Sequence, residues 1–336
     1  MFLRKKIILC IILIFIICLI SSGCWTNVGY IDSSRSNEST KNPLEDRRIR
    51  VGISVAGSLN EAINEKINTY KTDAEKYVDP TILIAGPYVA EYDQQRFIYN
   101  ISTFSQMFMD AIIVEMVDGS LAQEVIDKSF NIPIIFTTVL PTEESLLGGK
   151  VAFVGWKEAE CGRMQADTIA PILKAKGLKE INYVILMGDI TSSQAKQRTQ
   201  GVLDGLTASG LTPVKVLEEN CEWDSANAKS AVEKLLSEGV RIDCIISNWD
   251  DGALAAVEAV KSAGKIGEIP IAGIGGTKNA IASIKAGELT MTVLQDNIVQ
   301  AKTALELAVK AARREALEKY YWMTAESITT ENADKY

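Results

Sequence analysis

Histidine is missing from all 336 residues of the chain. Its absence excludes Ser-His-Asp and Cys-His nucleophilic sites, His-containing zinc sites, and the commonest general base near neutral pH. The expectation of catalysis falls accordingly, and no enzyme activity is expected. Cysteine is scarce: once Cys10, Cys18 and Cys24 are assigned to the N-terminal leader, Cys161, Cys221 and Cys244 remain. Three is an odd number, the spacing is irregular, and Cys244 lies inside an apolar run, so buried free thiols are expected and not a disulfide framework or metal site. Positive charge is also in deficit, with 35 Lys and Arg against 43 Asp and Glu, a net charge of −8. Broad nucleic-acid or anionic-membrane binding is therefore not expected. Phosphate-cradling loops are lacking too. Gly273–Gly276 has no Lys-Ser/Thr at the required spacing, and Gly148-Gly149-Lys150 runs straight into Val151.

What is present begins with a targeting segment. Arg4, Lys5 and Lys6 precede the apolar stretch Ile7–Ile20, which is short for a spanning helix, and Ser21-Ser22-Gly23-Cys24 follows. This order looks like a bacterial lipoprotein signal over residues 1–23, with Cys24 as the lipid-bearing residue, although Ser21 stands where an aliphatic residue is usual. Ordinary cleavage or an uncleaved anchor is the alternative. In each version the remainder lies outside the cytoplasmic membrane. Residues 24–48, rich in Asn, Ser, Asp and Arg, read as a flexible tether.

Beyond the tether, one stretch is written twice. Met109–Ser129 and Ile242–Ser262 share nine residues at a constant offset, among them Asp110/Asp243, Asp118/Asp251, Gly119/Gly252 and Lys128/Lys261. Each copy reads as a short buried strand, a polar turn and a helix, and each is followed by an Ile-Pro-Ile run that opens another strand. Asp118-Gly119 and Asp251-Gly252 supply turn and helix-start chemistry. Asp250-Asp251 fits that role better than a pair of hydrolytic carboxylates, because adjacent turn residues point in different directions. Around these copies, strand and helix patterns alternate from Ile49 to the C-terminus. They predict an α/β protein with two similar doubly wound parallel-sheet lobes. The Lys and Glu residues of the predicted helix Glu61–Tyr77 read as a solvated face. Val151–Gly155 reads as the start of the second lobe. In open sheets the ligand sits outside the carboxyl ends of the strands; here those ends carry Glu115 in one copy and Asn248, Trp249 and Asp250 in the other.

With these elements laid out, the chain resembles the type I periplasmic sugar-binding proteins, most closely the galactose/glucose-binding branch. The likeness is carried by Arg50-Val51-Gly52-Ile53, Phe153-Val154-Gly155 with Gly162, and Arg198 ten residues after Gly188. It continues in Glu222-Trp223-Asp224-Ser225-Ala226, the run Ile246–Val260, and Thr292-Val293-Leu294-Gln295-Asp296. The resemblance implies one small ligand held between lobes joined by three crossing segments, here near Ile135–Pro141, Leu294–Asn297 and Tyr320–Thr324. Lobe 1 would be residues 49–136 plus 297–318, and lobe 2 residues 137–296 plus 319–336. It implies ligand contacts from Arg198 and Trp223, the first as a bidentate donor and the second as a flat apolar face. Elsewhere the chain departs from the branch. Asn60 stands in place of an acidic residue, Ala62 of an aromatic, Glu115 of Asn, Ser192 and Gln194 of His and Asp, Trp249 of Asn, Gly275 of Asp, and Gln295 of Asn. The segment near Gly177–Glu180 lacks that branch's acidic calcium loop, so no metal or other cofactor is expected.

Such losses argue against glucose or galactose bound in the familiar way, because a site built to pair hydroxyls rejects ligands that leave polar groups unmatched. The expected ligand is a monosaccharide, with another polar metabolite open, and Glu115 raises the option of a cationic group on it. The expected role is delivery to an ABC import permease. The alternative is presentation of ligand-induced closure to a membrane histidine kinase or chemoreceptor.

Overall fold

The computed structural model describes residues 48–59, 61–73 and 82–336. The leader, the tether, Asn60 and Cys24 lie outside the described residues. Twelve strands form two six-stranded sheets. The strands are β1 (Ile49–Val55), β2 (Ile82–Val89), β3 (Ala111–Glu115), β4 (Ile134–Thr137), β5 (Val151–Gly155) and β6 (Glu180–Met187). They continue with β7 (Thr212–Asn220), β8 (Cys244–Ser247), β9 (Ile271–Gly275), β10 (Met291–Leu294), β11 (Tyr320–Trp322) and β12 (Glu326–Thr329). The first sheet runs β11-β5-β4-β3-β1-β2 and the second β12-β10-β9-β8-β6-β7. All neighbours are parallel except β10 and β12. The central strands are continuous apolar runs because helices cover both faces of each sheet. Val51, Ile53, Ile113, Ile135 and Val154, for instance, bury one face against Ala301, Ala304 and Ala308 of the helix Asn297–Ala312.

The two copies of the repeat occupy equivalent places. β3 lies between β1 and β4, and β8 between β6 and β9. Asp110 accepts a hydrogen bond from the backbone N–H of Arg50 at 2.9 Å, and Asp243 accepts one from that of Asn182 at 2.7 Å. Each duplicated aspartate thus ties the start of its own strand to the start of the neighbouring one. The duplicated glycines answer to close approach. A Cβ on Gly119 would sit 2.2 Å from the carbonyl oxygen of Leu140, and one on Gly252 would sit 2.6 Å from the Trp249 ring. The second aspartates differ. Asp118 caps its turn by accepting from the N–H of Ser120, whereas Asp251 lies inside the first turn of the helix Asp250–Ser262, which has no side-chain cap.

Sheet membership corrects the expected lobe boundaries. β5 pairs with β4 in the register Ile134↔Val151, and β11 pairs with β5, so both belong to the first sheet. An apolar pentapeptide carries no mark of which sheet it enters. The loop 138–150 decides it by returning the chain beside β4. The first passage between sheets therefore falls at Trp156-Lys157, not near Ile135–Pro141, because the next helix, Glu158–Ala175, packs on the second sheet. The second passage, Gln295-Asp296, lies within the expected Leu294–Asn297. The third, 323–325, overlaps the C-terminal end of Tyr320–Thr324. The helix Lys278–Lys285 and the antiparallel strand β12 were not expected from the sequence.

Candidate functional site

At the carboxyl ends of the strands, between the two sheets, lies a cavity of about 200 Å³. It is smaller than the ~300–1,000 Å³ of drug-sized pockets, which suits a ligand of one ring. Seven of the nine expected ligand-binding residues line it: Glu115, Gln194, Arg198, Trp223, Trp249, Gly275 and Gln295. Ser192 does not; it is buried at the start of the helix Ser193–Ala208. Asn60 is outside the described residues, although Ala62 and Ile63 from the same helix start do line the cavity.

The second-sheet wall is a closed polar network. Glycines let two helices touch: a Cβ on Gly162, in Glu158–Ala175, would lie 2.0 Å from the carbonyl oxygen of Arg198. Arg198, only 4% exposed, is thereby brought against Glu158. Its Nε donates to Glu158 Oε2 at 2.7 Å, its Nη1 to the Asn248 carbonyl at 2.6 Å, and its Nη2 to Gln295 Oε1 at 2.9 Å. Gln194 and Gln295 donate amide hydrogens to the two oxygens of Glu158, at 3.0 and 3.1 Å. A guanidinium has five N–H donors, and three are spent on the protein, leaving two for a guest.

Beside this network, Trp223 and Trp249 meet edge to face, with centroids 5.6 Å apart at 75°. Trp223 rides over Gly188, where a Cβ would come within 2.3 Å of the indole carbons. Glu222 and Trp223 hold φ of 53° and 59°, a left-handed turn that costs non-glycine residues about 1–3 kcal/mol each. Trp249 both lines the cavity and packs in the second-sheet core. Its indole N–H, like that of Trp156, is buried without a hydrogen-bond partner among the described residues.

Below them Asp250, 2% exposed, accepts from Thr292 Oγ1 at 2.6 Å and from the N–H of Thr277 at 2.8 Å. Burial pushes its carboxyl up to about 6, although those hydrogen bonds work the other way. Gly275 is explained by the same carboxylate, because a Cβ there would lie 2.9 Å from Asp250 Oδ2. The three cysteines among the described residues are free and buried, as expected, and burial pushes each thiol up to about 12.

The first-sheet wall holds a residue that sequence reasoning missed. Lys66, on the helix Glu61–Asp73, is 4% exposed and forms an ion pair with Glu115, itself 5% exposed. Lys66 was assigned to a solvated face, and the structure corrects this. It lies three residues after Ile63 and four before Tyr70, on the stripe that packs on the first sheet. A lysine on the apolar stripe was the signal available. Thr137 Oγ1 donates to Glu115 Oε2 at 2.9 Å, and Thr138 Oγ1 bonds both members of the pair. Thr138 adopts φ 68°, a genuine outlier for a β-branched residue. Lys66 supplies Glu115 with a counter-charge from within the protein. Among the described residues no cluster of three acidic or Cys side chains is placed to hold a metal ion.

Residues 51–316 match the family model described as periplasmic binding protein domain. The chain belongs to that family, in its type I sugar-binding form, and has its two-lobed α/β fold. A putative rhizopine-binding protein of Rhizobium meliloti is 30% identical over 241 residues, 70% of this chain and 76% of that one. The D-galactose/methyl-galactoside binding periplasmic protein of Haemophilus influenzae is 34% identical over 224 residues, 63% of this chain and 67% of that one. Among solved structures, an ABC transporter solute binding protein from Bacillus halodurans with bound myo-inositol superposes with a TM-score of 0.78. It is 27% identical, and the match covers 86% of this chain and 97% of that one.

Proposed function

We infer that this chain is an extracytoplasmic solute receptor that closes over one sugar or cyclitol and hands it to an ABC import permease. The observation that carries the reading is convergence. Glu115 and Lys66 on the side of the first sheet, and Arg198, Gln295, Trp223 and Trp249 on the side of the second, line one cavity of single-ring size. Their chemistry suits a polyhydroxylated ring, with indole surface for a C–H face and dense donors and acceptors for hydroxyls. A guest that touches both walls favours the closed arrangement, which is the form a permease can read. The galactoside name of one relative and the myo-inositol in a structural neighbour point to the same ligand class. A lipid on Cys24 would keep the receptor at the membrane. Replacing Cys24 with Ala is then expected to release it from the membrane fraction.

A thermal-shift screen over monosaccharides and cyclitols, myo-inositol included, tests the binding reading. A ligand at one hundred times its Kd stabilises the folded chain by about 2.7 kcal/mol, so the true ligand raises the melting point by several degrees. A screen in which no sugar or cyclitol moved the transition, while an amino acid did, would remove the carbohydrate assignment.

A further inference from the structure

We propose that the Lys66–Glu115 ion pair is the charge-selection device of the cleft, making it a receptor for neutral polyols and excluding rings that carry an ammonium group. The inference rests on the sugar-binding reading above and specifies which sugars or cyclitols enter. A bare glutamate at this depth would favour a cationic guest, because a buried charge must be paired. Lys66 fills that place permanently, reaching Glu115 from a helix whose neighbouring residues Ile63, Ile67 and Tyr70 are packed in the core.

The remaining valences of the pair show what it can still bind. An ammonium has three donors, and two are used, on Glu115 and Thr138 Oγ1. A carboxylate has about four acceptor sites, and three are used, by Lys66, Thr137 and Thr138. One donor remains on Lys66 and one acceptor site on Glu115 Oε2. That is the complement of a hydroxyl group, which accepts and donates, or of two neighbouring hydroxyls. An ammonium on the ligand could only donate, and it would meet Lys66 as a like charge.

The other charged groups at the cavity do not reverse this. Arg198 is matched by Glu158, and Asp250 is held by Thr292 and Thr277. Asp251 is exposed at the edge, where water and salt weaken its pull. The strained backbone of Thr138 fits the assignment, since its left-handed conformation holds one hydroxyl against both members of the pair.

The test compares matched rings on the full-length chain: glucose with glucosamine, galactose with galactosamine, and myo-inositol with an amino-deoxy-inositol, by calorimetry and thermal shift. For wild type, the neutral member of the best-binding pair is expected to bind about tenfold or more tightly than its protonated amine. Lys66→Met is expected to weaken the neutral ring by a similar factor and to make the amine the preferred ligand. Should that variant fold poorly with its unpaired carboxylate, Lys66→Met/Glu115→Gln removes both charges, and the preference is expected to shrink towards unity. An amine preferred by wild type, or a preference unchanged in the folded variants, overturns the proposal while leaving sugar binding intact. If none of the six probes binds the wild-type chain, the sugar-binding reading fails and this inference fails with it.

Discussion

The two walls of the cleft are built on the same plan and finished differently. The first wall is a compact ion pair clasped by two threonine hydroxyls. The second is an extended network of Glu158, Gln194, Arg198 and Gln295 beside two tryptophans. Each wall carries one buried ion pair, Lys66 with Glu115 and Arg198 with Glu158. The difference lies in which positions of the repeat were kept. Asp110/Asp243 and Gly119/Gly252, which recur, tie strands together and allow close approach. The strand-end positions do not recur: Glu115, which lines the cavity, answers to the buried Asn248, and Trp249, which also lines it, answers to the core residue Met116. Scaffold was duplicated and lining was not, because strand pairing imposes the same geometry twice while a ligand presents different atoms to each lobe.

The largest expected effect comes from breaking the second wall. Glu158→Ala leaves the Arg198 guanidinium buried with its counter-charge gone, and removing one partner of such a pair costs about 3–5 kcal/mol. Urea denaturation should show the loss as a lower midpoint, and a loss under about 1 kcal/mol would mean that the network is not a unit. The next effect is on pH and belongs to the second wall alone, which holds Asp250. Its folded value near 6 lies above the ordinary carboxylate value of 3.8. The folded state therefore binds the proton more tightly, and this group's contribution to stability falls as pH rises from about 4 through 6. At about 1.4 kcal/mol per unit the total is on the order of 3 kcal/mol. Asp250→Asn should flatten melting temperature over that range, and an unchanged pH slope would refute the assignment. The smallest effect sharpens the likeness of the repeats. Asp110→Ala and Asp243→Ala should each cost about 1–2 kcal/mol, within a few tenths of each other, in matched denaturation curves. A large asymmetry would show that the duplicated ties are not equivalent.

Much of the fold was legible because periodic patterns report local geometry directly. Buried parallel strands are apolar runs, and turns between strand and helix need Asp and Gly; both signals survive without an alignment. Lobe membership was harder to read. Val151–Gly155 and Tyr320–Trp322 join the first sheet because of where their loops deliver them, and nothing in a pentapeptide encodes its neighbour. Seven of the expected site residues line one cavity: Glu115 and Trp249 sit at strand ends located from pattern, whereas Gln194, Arg198, Trp223, Gly275 and Gln295 were expected from the family resemblance. Lys66 and Glu158 were missed since a charged residue on a helix is solvated unless something across the fold meets it. Ser192 sits one residue before its helix but away from the cavity, a rotation that sequence position does not disclose.

By itself, the sequence determined that two strand–turn–helix halves would form parallel sheets. It also placed aromatic and polar residues at the ends where ligands sit, and it left no histidine for common chemistry. Only the tertiary structure decided how those residues are charged towards a guest. It paired Lys66 with Glu115 and Glu158 with Arg198 across separations of 49 and 40 residues. Local preferences act over a few bonds, whereas the energy of a buried charge depends on every group packed around it, and that company is assembled only when the chain folds.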